Sequence, residues 1–329
     1  MTRSAAVCAM ALVAAFVPAL CAEGARSAKE GSASFKGLFP PDVKTVGIVS
    51  VSSLVPESSF VRGTNLLAKA GYRVKAMPNV RKMEPPAVRA RLFEQAWMDP
   101  EIDFLLFSRG GQGAADVVPL VDWDRLRGRN MRVMGFSDVT VVLGTMLAKG
   151  AGRPISGPMV STLATYCTGE SRERLRQVLD GTPPPLKLTP VKPCAASVVG
   201  RPFAGLVSRF PVLLDMGLLP SLEGRVVFIE CTPKYADASE SMLDGLLEKG
   251  VFDKSAAVVF CDFNREWKKE DVDALFARFA AKAKCPVFSG YPYGHVPRSF
   301  AVDFSRPVCI SEEGVLEWMA VGPSGETGL

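Results

Sequence analysis

The chain has 329 residues, 48% of them hydrophobic, and a formal net charge of +5 at pH 7. This apolar share is typical of a globular protein, and the length exceeds the ~100–200 residues of one usual domain, so we predict two packed domains. The positive charge is spread thinly, with no basic run. It favours solubility and argues against nucleic acid as a partner.

The N-terminus has the parts of a secretory signal. Arg3 gives it a basic start, Ser4 to Leu20 is almost entirely apolar, and small residues follow at Cys21 and Ala22. A membrane anchor is the competing interpretation. The apolar run contains Pro18 and is too short for a comfortable span of ~20 apolar residues.

We therefore predict a cleaved signal peptide over residues 1–22 and a small, polar tether over 23–42. Cleavage after Cys21 and cleavage after Ala22 are the two alternatives, and lipid modification of Cys21 is a weaker one. After signal removal we expect no stable membrane span, and a periplasmic or secreted protein.

The chain has eight cysteines, no C-x-x-C pair and one histidine. This composition predicts no metal site, and we expect no cofactor. A chain of this length does not need disulfides for stability, so buried free thiols are expected. In an oxidising compartment, the formation of one or two disulfides is the alternative.

Four βα-like units follow the tether. Near-continuous apolar strands are predicted at 43–51, 72–77, 102–108 and 131–136, with helical spacing at 58–70 and 84–98. Apolar strands that alternate with helices indicate a parallel sheet covered on both faces, whose ligands gather at the carboxyl ends of the strands. We therefore expect an α/β fold, with a first domain over 43–167 that carries the nucleophile.

The second half of the chain repeats this alternation. Residues 168–197 are rich in proline and are predicted to connect the domains. Strands at 225–230 and 256–262, with helices at 242–249 and 269–283, indicate a second α/β domain over 198–315. Residues 316–329 are predicted to form a polar tail.

A strand-to-helix turn occurs around Ser137. An apolar run ends at Gly135-Phe-Ser-Asp138, and a helical pattern starts at once. This geometry lifts the Ser137 hydroxyl off the sheet and points the Asp138 N–H toward the same space, as a nucleophile and half of an oxyanion hole require. The turn does not match G-x-S-x-G. Since Ser and Asp are common helix caps, the turn alone favours a capping role.

A glycine-rich loop, Arg109-Gly-Gly-Gln-Gly113, follows the third predicted strand. Its glycines allow positive φ and close approach of a ligand to backbone N–H groups. The loop is neither G-x-G-x-x-G nor a Walker loop, so nucleotide binding is weakly supported. It is either a tight turn or an oxyanion-hole loop opposite Ser137, with Gly111 as donor.

Two further residues complete a catalytic pattern. Glu230 ends an apolar strand, and His295, the one histidine of the chain, lies in a loop between Gly294 and Pro297. Ser137, Glu230 and His295 are the parts of a Ser-His-acid triad, in which Ser attacks, His transfers the proton and Glu holds the imidazole tautomer. The alternatives are a strand-end cap for Glu230 and a structural role for His295.

With these residues in view, the chain resembles the LD-carboxypeptidase family of serine peptidases, which includes murein tetrapeptide carboxypeptidases and microcin C immunity peptidases. The matching segments, in the family's order, are residues 46–53, 99–103, 109–114, 135–140, 156–159, 222–224, 228–230 and 293–295. The resemblance implies Ser137 as nucleophile, Glu230 and His295 as its relay, and the N–H groups of Gly111 and Asp138 as oxyanion hole. It also implies an N-terminal domain of glutamine-amidotransferase-like type, a C-terminal domain that supplies Glu and His, and an active site at their junction.

Two departures from the family concern the donor-side pocket. Residues 204–209 read Ala-Gly-Leu-Val-Ser-Arg where the family usually has Gly-Gly-Asn-Leu, and Cys231-Thr-Pro233 replaces the usual acidic continuation after Glu230. The triad is unaffected. The family resemblance and the predicted signal suggest trimming of tetrapeptide stems in the periplasm, with loss of a terminal D-residue after meso-diaminopimelate or lysine.

A peptidoglycan-derived peptide is therefore the expected partner. Its free terminal carboxylate should meet a cation, so we predict Arg109, Gly110 and Arg298 as substrate-binding residues. Another serine amidase or esterase, including a deacylase of peptidyl-nucleotide conjugates, is the alternative. A non-catalytic periplasmic binding protein is the least favoured alternative. The sequence does not decide the oligomeric state, and a homodimer is one alternative.

Overall fold

The computed structural model describes residues 37–165, 167, 169–263 and 267–319. The predicted signal peptide, most of the tether and residues 320–329 of the tail lie outside the described residues. Across the described ranges, every helix is too short or too polar to cross a bilayer. The expectation of free thiols holds for Cys167, Cys194, Cys231, Cys261 and Cys285.

The described chain alternates helices and strands. Its α-helices are α1 (Glu57–Lys69), α2 (Pro86–Met98), α3 (Ala114–Val117), α4 (Trp123–Leu126), α5 (Thr140–Lys149), α6 (Val160–Leu163), α7 (Gly169–Asp180), α8 (Arg209–Asp215), α9 (Ala236–Glu248) and α10 (Lys269–Lys282). Its strands are β1 (Thr45–Val49), β2 (Arg73–Ala76), β3 (Phe104–Phe107), β4 (Arg132–Gly135), β5 (Arg153–Ser156), β6 (Leu186–Lys187), β7 (Thr189–Lys192), β8 (Val198–Leu206), β9 (Arg225–Cys231), β10 (Ala257–Phe263), β11 (Val287–Ser289), β12 (Val302–Asp303), β13 (Val308–Ile310) and β14 (Val315–Trp318).

The strands form two sheets. The first has six strands in the order β12-β5-β4-β3-β1-β2, and β1 to β5 pair in parallel. Every residue of β1 and β3 is buried, as expected for parallel strands covered on both faces. The predicted α/β class is confirmed.

The second sheet has eight strands in the order β6-β14-β13-β8-β9-β10-β11-β7. Its centre, β8 to β11, is parallel, whereas the remaining pairs are antiparallel. The strand β9, which ends on Glu230 and Cys231, therefore lies inside this sheet. Glu230 is fully buried.

The structure differs from the predicted boundaries in three places. The segment 168–197, predicted as a connection, contains α7 and the strands β6 and β7. Pro190 is compatible with β7 because this strand lies at the sheet edge, where a missing N–H costs no ladder bond. β12 pairs with β5 of the first sheet, and β14 extends the second sheet past residue 315.

The helix that follows Ser137 packs against the second half of the chain. α5 contacts β8 and α8. A methyl group on Gly144 would lie 2.7 Å from Leu213 Cδ1, and one on Gly205 would lie 2.4 Å from Thr140 Cγ2. Glycine on both sides of the interface therefore allows the start of α5 to approach the second sheet.

Candidate active site

Ser137 has a strained backbone at the carboxyl end of β4. Its φ is +68°, and it is the one non-glycine residue of the described chain with positive φ. This conformation costs an L-residue about 1–2 kcal/mol, and such strain clusters at functional sites. Ser137 opens the 3₁₀ turn Ser137–Val139, which leads directly into α5. The hydroxyl is thus presented at the strand-to-helix turn.

The structure brings Ser137, His295 and Glu230 into one hydrogen-bonded chain. His295 Nε2 lies 3.0 Å from Ser137 Oγ, and His295 Nδ1 lies 3.0 Å from Glu230 Oε2. Since an ionised carboxylate only accepts, the Nδ1–H donates a hydrogen bond to Glu230. The lone pair on Nε2 then faces Ser137, whose hydroxyl donates to it. In this arrangement the imidazole can act as a general base toward the hydroxyl.

The loop that carries His295 is anchored to both sheets. Tyr293, two residues before His295, is buried, and its hydroxyl lies 2.7 Å from Ser156 Oγ at the end of β5. Gly294 has φ +132°, and a methyl group there would lie 3.2 Å from Glu230 Oε2. Glycine therefore serves both the backbone conformation and the close approach to Glu230. These contacts fix the imidazole between a carboxylate and a hydroxyl.

The pKa of His295 is raised from its ordinary value of 6.5. Burial alone would lower the pKa, but the negative charge of Glu230, its hydrogen bond to the ring and the charge of Asp262 outweigh that effect. The imidazolium that forms when His295 takes a proton is therefore stabilised.

The glycine loop between β3 and α3 faces Ser137. A methyl group on Gly111, whose φ is +109°, would lie 2.3 Å from Ser53 Oγ. A methyl group on Gly110 would lie 3.0 Å from Ser137 Oγ and 3.5 Å from the backbone nitrogen of Asp138. Gly110 therefore keeps open the space beside the hydroxyl and this N–H, where a carbonyl oxygen would have to sit.

These elements line a cleft of about 500 Å³. Of the predicted site residues, Arg109, Gly110, Gly111, Ser137 and His295 contribute to its wall. Arg109 is exposed, and one of its guanidinium N–H groups donates to the carbonyl of residue 54 at 2.9 Å. The predicted anchor for a carboxylate therefore lies in the same cleft as the hydroxyl and the imidazole.

Arg298, the other predicted anchor for a carboxylate, is already paired in the structure. Its guanidinium makes two hydrogen bonds, of 2.7 and 2.8 Å, to the Glu170 carboxylate, and it lies over the Phe300 ring at 4.8 Å. It is absent from the described wall of the cleft. Its positive charge suggested a contact with the terminal carboxylate of the substrate, but the loop directs the Arg298 side chain toward α7.

Lys234 and Tyr235 line the cleft and were missed by the sequence reasoning. Both lie on the 3₁₀ turn Pro233–Tyr235 that follows β9, and the Lys234 ammonium lies 5.4 Å from the centre of the Tyr235 ring. The available signal was the non-acidic continuation after Glu230, which puts a lysine four residues past the carboxylate. Within the described wall, the charged side chains are Arg109 and Lys234, and no carboxylate lines it.

Two family models match this chain. The LD-carboxypeptidase N-terminal domain matches residues 46–156, and the LD-carboxypeptidase C-terminal domain matches residues 199–310. The chain belongs to the LD-carboxypeptidase family. The resemblance found in the sequence motifs is confirmed.

Named relatives agree with this membership. Murein tetrapeptide carboxypeptidase of Pseudomonas aeruginosa is 24% identical over 233 residues, covering 67% of this chain and 75% of that protein. Microcin C7 self-immunity protein MccF of Escherichia coli is 23% identical over 256 residues, covering 65% of this chain and 74% of that protein. The family and these relatives support a hydrolase, with murein tetrapeptide carboxypeptidase or MccF-like activity.

Solved structures show the same fold. An MccF-like protein from Bacillus anthracis superposes with a TM-score of 0.76 at 16% identity. The match covers 86% of this chain and 99% of that chain. The mixed α/β architecture with two sheets is therefore that of MccF-like proteins.

Proposed function

We propose that this protein is a serine LD-carboxypeptidase that removes the terminal D-alanine from murein tetrapeptide stems. The observation that carries this proposal is the chain of two 3.0 Å contacts from Ser137 through His295 to Glu230. Ser137 follows a strand of the first sheet, whereas Glu230 belongs to the second. We accordingly assign the active site to the junction of a glutamine-amidotransferase-like N-terminal domain and a C-terminal α/β domain.

The first half of the proposed reaction makes an acyl-enzyme. Ser137 Oγ attacks the carbonyl carbon of the last peptide bond while His295 Nε2 accepts the hydroxyl proton. The carbonyl oxygen gains negative charge, which the N–H groups of Gly111 and Asp138 stabilise as an oxyanion hole. His295 then returns the proton to the amide nitrogen, the C–N bond breaks and D-alanine leaves. The stem peptide stays bound as an ester on Ser137.

The second half hydrolyses this ester. Water attacks the ester carbonyl while His295 Nε2 takes a proton from it, and the proton then passes to Ser137 Oγ as the C–O bond breaks. Glu230 holds Nδ1–H in both halves and stabilises the imidazolium. Its full burial strengthens that interaction, because a low-dielectric site screens charges less than water does.

The charges of the cleft support an anionic substrate. Arg109 and Lys234 are the charged side chains of the described wall, and both are exposed. We assign Arg109, beside Gly110, to the terminal carboxylate of the stem and Lys234 to a second carboxylate. A stem substrate in the cell envelope is also consistent with the predicted signal peptide and a periplasmic or secreted location.

A second candidate function is cleavage of a peptidyl-nucleotide conjugate. The absence of carboxylates from the described wall, together with Lys234 and the Tyr235 ring, favours a substrate with a phosphoryl group and a flat base. The triad chemistry would be the same. Only the group recognised beside Lys234 would differ.

The test is mass spectrometry of a tetrapeptide stem incubated with the mature protein and with Ser137→Ala. Loss of one D-alanine with the native protein alone supports the proposal. A stem left intact, together with cleavage of a peptidyl-nucleotide conjugate in a parallel reaction, supports the second candidate. If Ser137→Ala matched the native protein, the assigned nucleophile would be wrong.

A further inference from the structure

Asp138, the residue after Ser137, has a carboxylate that is almost completely buried. It is 1% exposed. Its Oδ2 accepts from the Ser52 hydroxyl at 2.7 Å and from the Ala114 N–H at 3.0 Å, and its Oδ1 accepts from Arg209 Nη1 at 3.1 Å. Burying a charge this deeply is unfavourable unless it is paired and hydrogen-bonded. The carboxylate is therefore held by three separate segments of the chain.

Arg209 is the one of these donors that comes from the second half of the chain. It begins α8, its side chain is only 15% exposed, and its Nη2 donates to the Tyr235 hydroxyl at 3.0 Å. Tyr235 belongs to the turn that follows β9, the strand that carries Glu230. Arg209 thus joins the residue beside the nucleophile to the turn beside its acid partner.

A second hydrogen bond joins the same two parts of the chain. The Leu206 N–H donates to Thr140 Oγ1 at 3.2 Å, and Thr140 is the first residue of α5. Leu206 and Arg209 both belong to the segment 204–209 that departs from the family pattern. This segment therefore contacts the Ser137 turn at two points.

Building on the proposed function, we propose that Arg209 is a positioning residue that orients the oxyanion-binding N–H of Asp138. Arg209 itself does not line the described wall of the cleft, so it acts through the Asp138 carboxylate. An oxyanion-hole donor must lie about 2.7–3.1 Å from the oxygen it stabilises. The Asp138 N–H belongs to the peptide between Ser137 and Asp138. The hydrogen bonds that hold the Asp138 carboxylate therefore also fix the direction of this N–H.

Loss of Arg209 would leave the carboxylate with donors from the first half of the chain only. The side chain would relax toward water, and the peptide plane would move with it. A displacement of a catalytic group by about 1 Å can lower the reaction rate by about 100-fold. We therefore expect a loss in the chemical step and little loss in substrate binding.

The direct test measures the rate at which a fluorophosphonate labels Ser137. In this reaction the Ser137 Oγ–P bond forms, the P–F bond breaks, fluoride leaves and His295 takes the proton. The phosphoryl oxygen uses the oxyanion hole, whereas the probe has no stem peptide to recognise. Arg209→Met should slow labelling by about 10–100-fold, and Arg209→Lys should recover part of the rate. Labelling of Arg209→Met at the native rate would overturn the proposal.

Kinetics on the stem peptide separate positioning from substrate contact. Arg209→Met should lower kcat and leave KM within about threefold, since uniform substrate binding is not its role. A raised KM with unchanged kcat would instead make Arg209 a substrate-binding residue and would contradict the proposal. Arg278→Met is the matched control, because Arg278 pairs with Glu240 on the surface, outside the described cleft.

A double-mutant cycle tests the route through Asp138. If Arg209 acts through this carboxylate, Arg209→Met should change the labelling rate by less than about threefold once Asp138→Asn is present. Equal effects in both backgrounds would overturn the proposal. If Arg209→Met does not fold, Arg209→Lys replaces it in the cycle, because lysine keeps the positive charge but loses the forked guanidinium that joins Asp138 to Tyr235.

The labelling assay also keeps two failures apart. If the native protein labels on Ser137 but releases no D-alanine, the proposed substrate is wrong and the role of Arg209 is still measured. If the native protein is active and Arg209→Met labels as fast, the positioning role alone is wrong.

Discussion

Gly110→Ala is the substitution that tests the oxyanion space most sharply. The added methyl group would lie 2.9 Å from Ser137 Cβ, 3.0 Å from Ser137 Oγ and 3.5 Å from the Asp138 nitrogen. Gly110 does not have positive φ, so its backbone accepts alanine. The change therefore leaves the backbone of residue 110 unstrained, but the contact of 2.9 Å with Ser137 Cβ forces the loop or the Ser137 turn to shift while the methyl group fills the space beside the hydroxyl.

The expected effect follows from this geometry. An oxyanion must lie about 2.7–3.1 Å from its donors, and a methyl group 3.5 Å from the Asp138 nitrogen occupies that volume. Loss of one oxyanion-hole donor lowers kcat by about 10²–10³-fold. We expect kcat/KM for D-alanine release to fall by at least this factor, with the folded structure retained.

The assay is steady-state release of D-alanine, with thermal unfolding measured on the same samples. Gly245→Ala is the matched control, because it lies in α9 with nothing within 4 Å of the added methyl group. That control should keep full activity and gain about 0.5–1 kcal/mol in stability, as alanine does over glycine inside a helix. A folded Gly110→Ala variant with activity within about threefold of native would refute the assigned oxyanion site, since the donor loss predicts a far larger effect.

Three other predictions follow from the site. Glu230→Gln should lower kcat by about 10⁴-fold; it should also lower the pKa of His295, which Glu230 raises above 6.5. Since the base must be neutral, the acid limb of kcat/KM should move to lower pH, and NMR titration of the one histidine reads the same shift directly. Lys234→Met should raise KM for the stem about tenfold with little change in kcat, as loss of a charged contact does; Lys254→Met, which removes an exposed pair with Glu223, is the control. Tyr293→Phe should lower the free energy of unfolding in urea by about 1–3 kcal/mol, because it leaves the buried hydroxyl at the end of β5 without a partner; unchanged stability would show that this contact does not anchor the loop.

The fold was predictable where the chain follows local rules. β1 and β3 are short segments in which apolar residues predominate, and helical patterns follow them, so the hydrophobic pattern was sufficient to place them. β7 was missed because Pro190 resembles a linker residue, and only its place at a sheet edge makes it compatible with a strand. Edge position depends on the whole topology, which no local pattern contains.

The candidate site was also predictable only where local sequence patterns determine it. The strand-to-helix turn, the lone histidine and the strand-end glutamate were visible in sequence, and the structure places all three in contact. Arg298 pairs with Glu170, 128 positions away, and no local pattern in the sequence contains this pairing. Arg209 was missed for the same physical reason. Its role depends on a pair with Asp138, 71 positions away.

The central claim is that Ser137 forms an ester with the stem peptide. The most direct measurement is intact-protein and peptide mass spectrometry after an acid quench of the reaction with a tetrapeptide stem. We predict an adduct with the mass of the stem lacking D-alanine, located on the peptide that contains Ser137 and absent from Ser137→Ala. Release of D-alanine at native rate by Ser137→Ala, with no adduct on either protein, would contradict it.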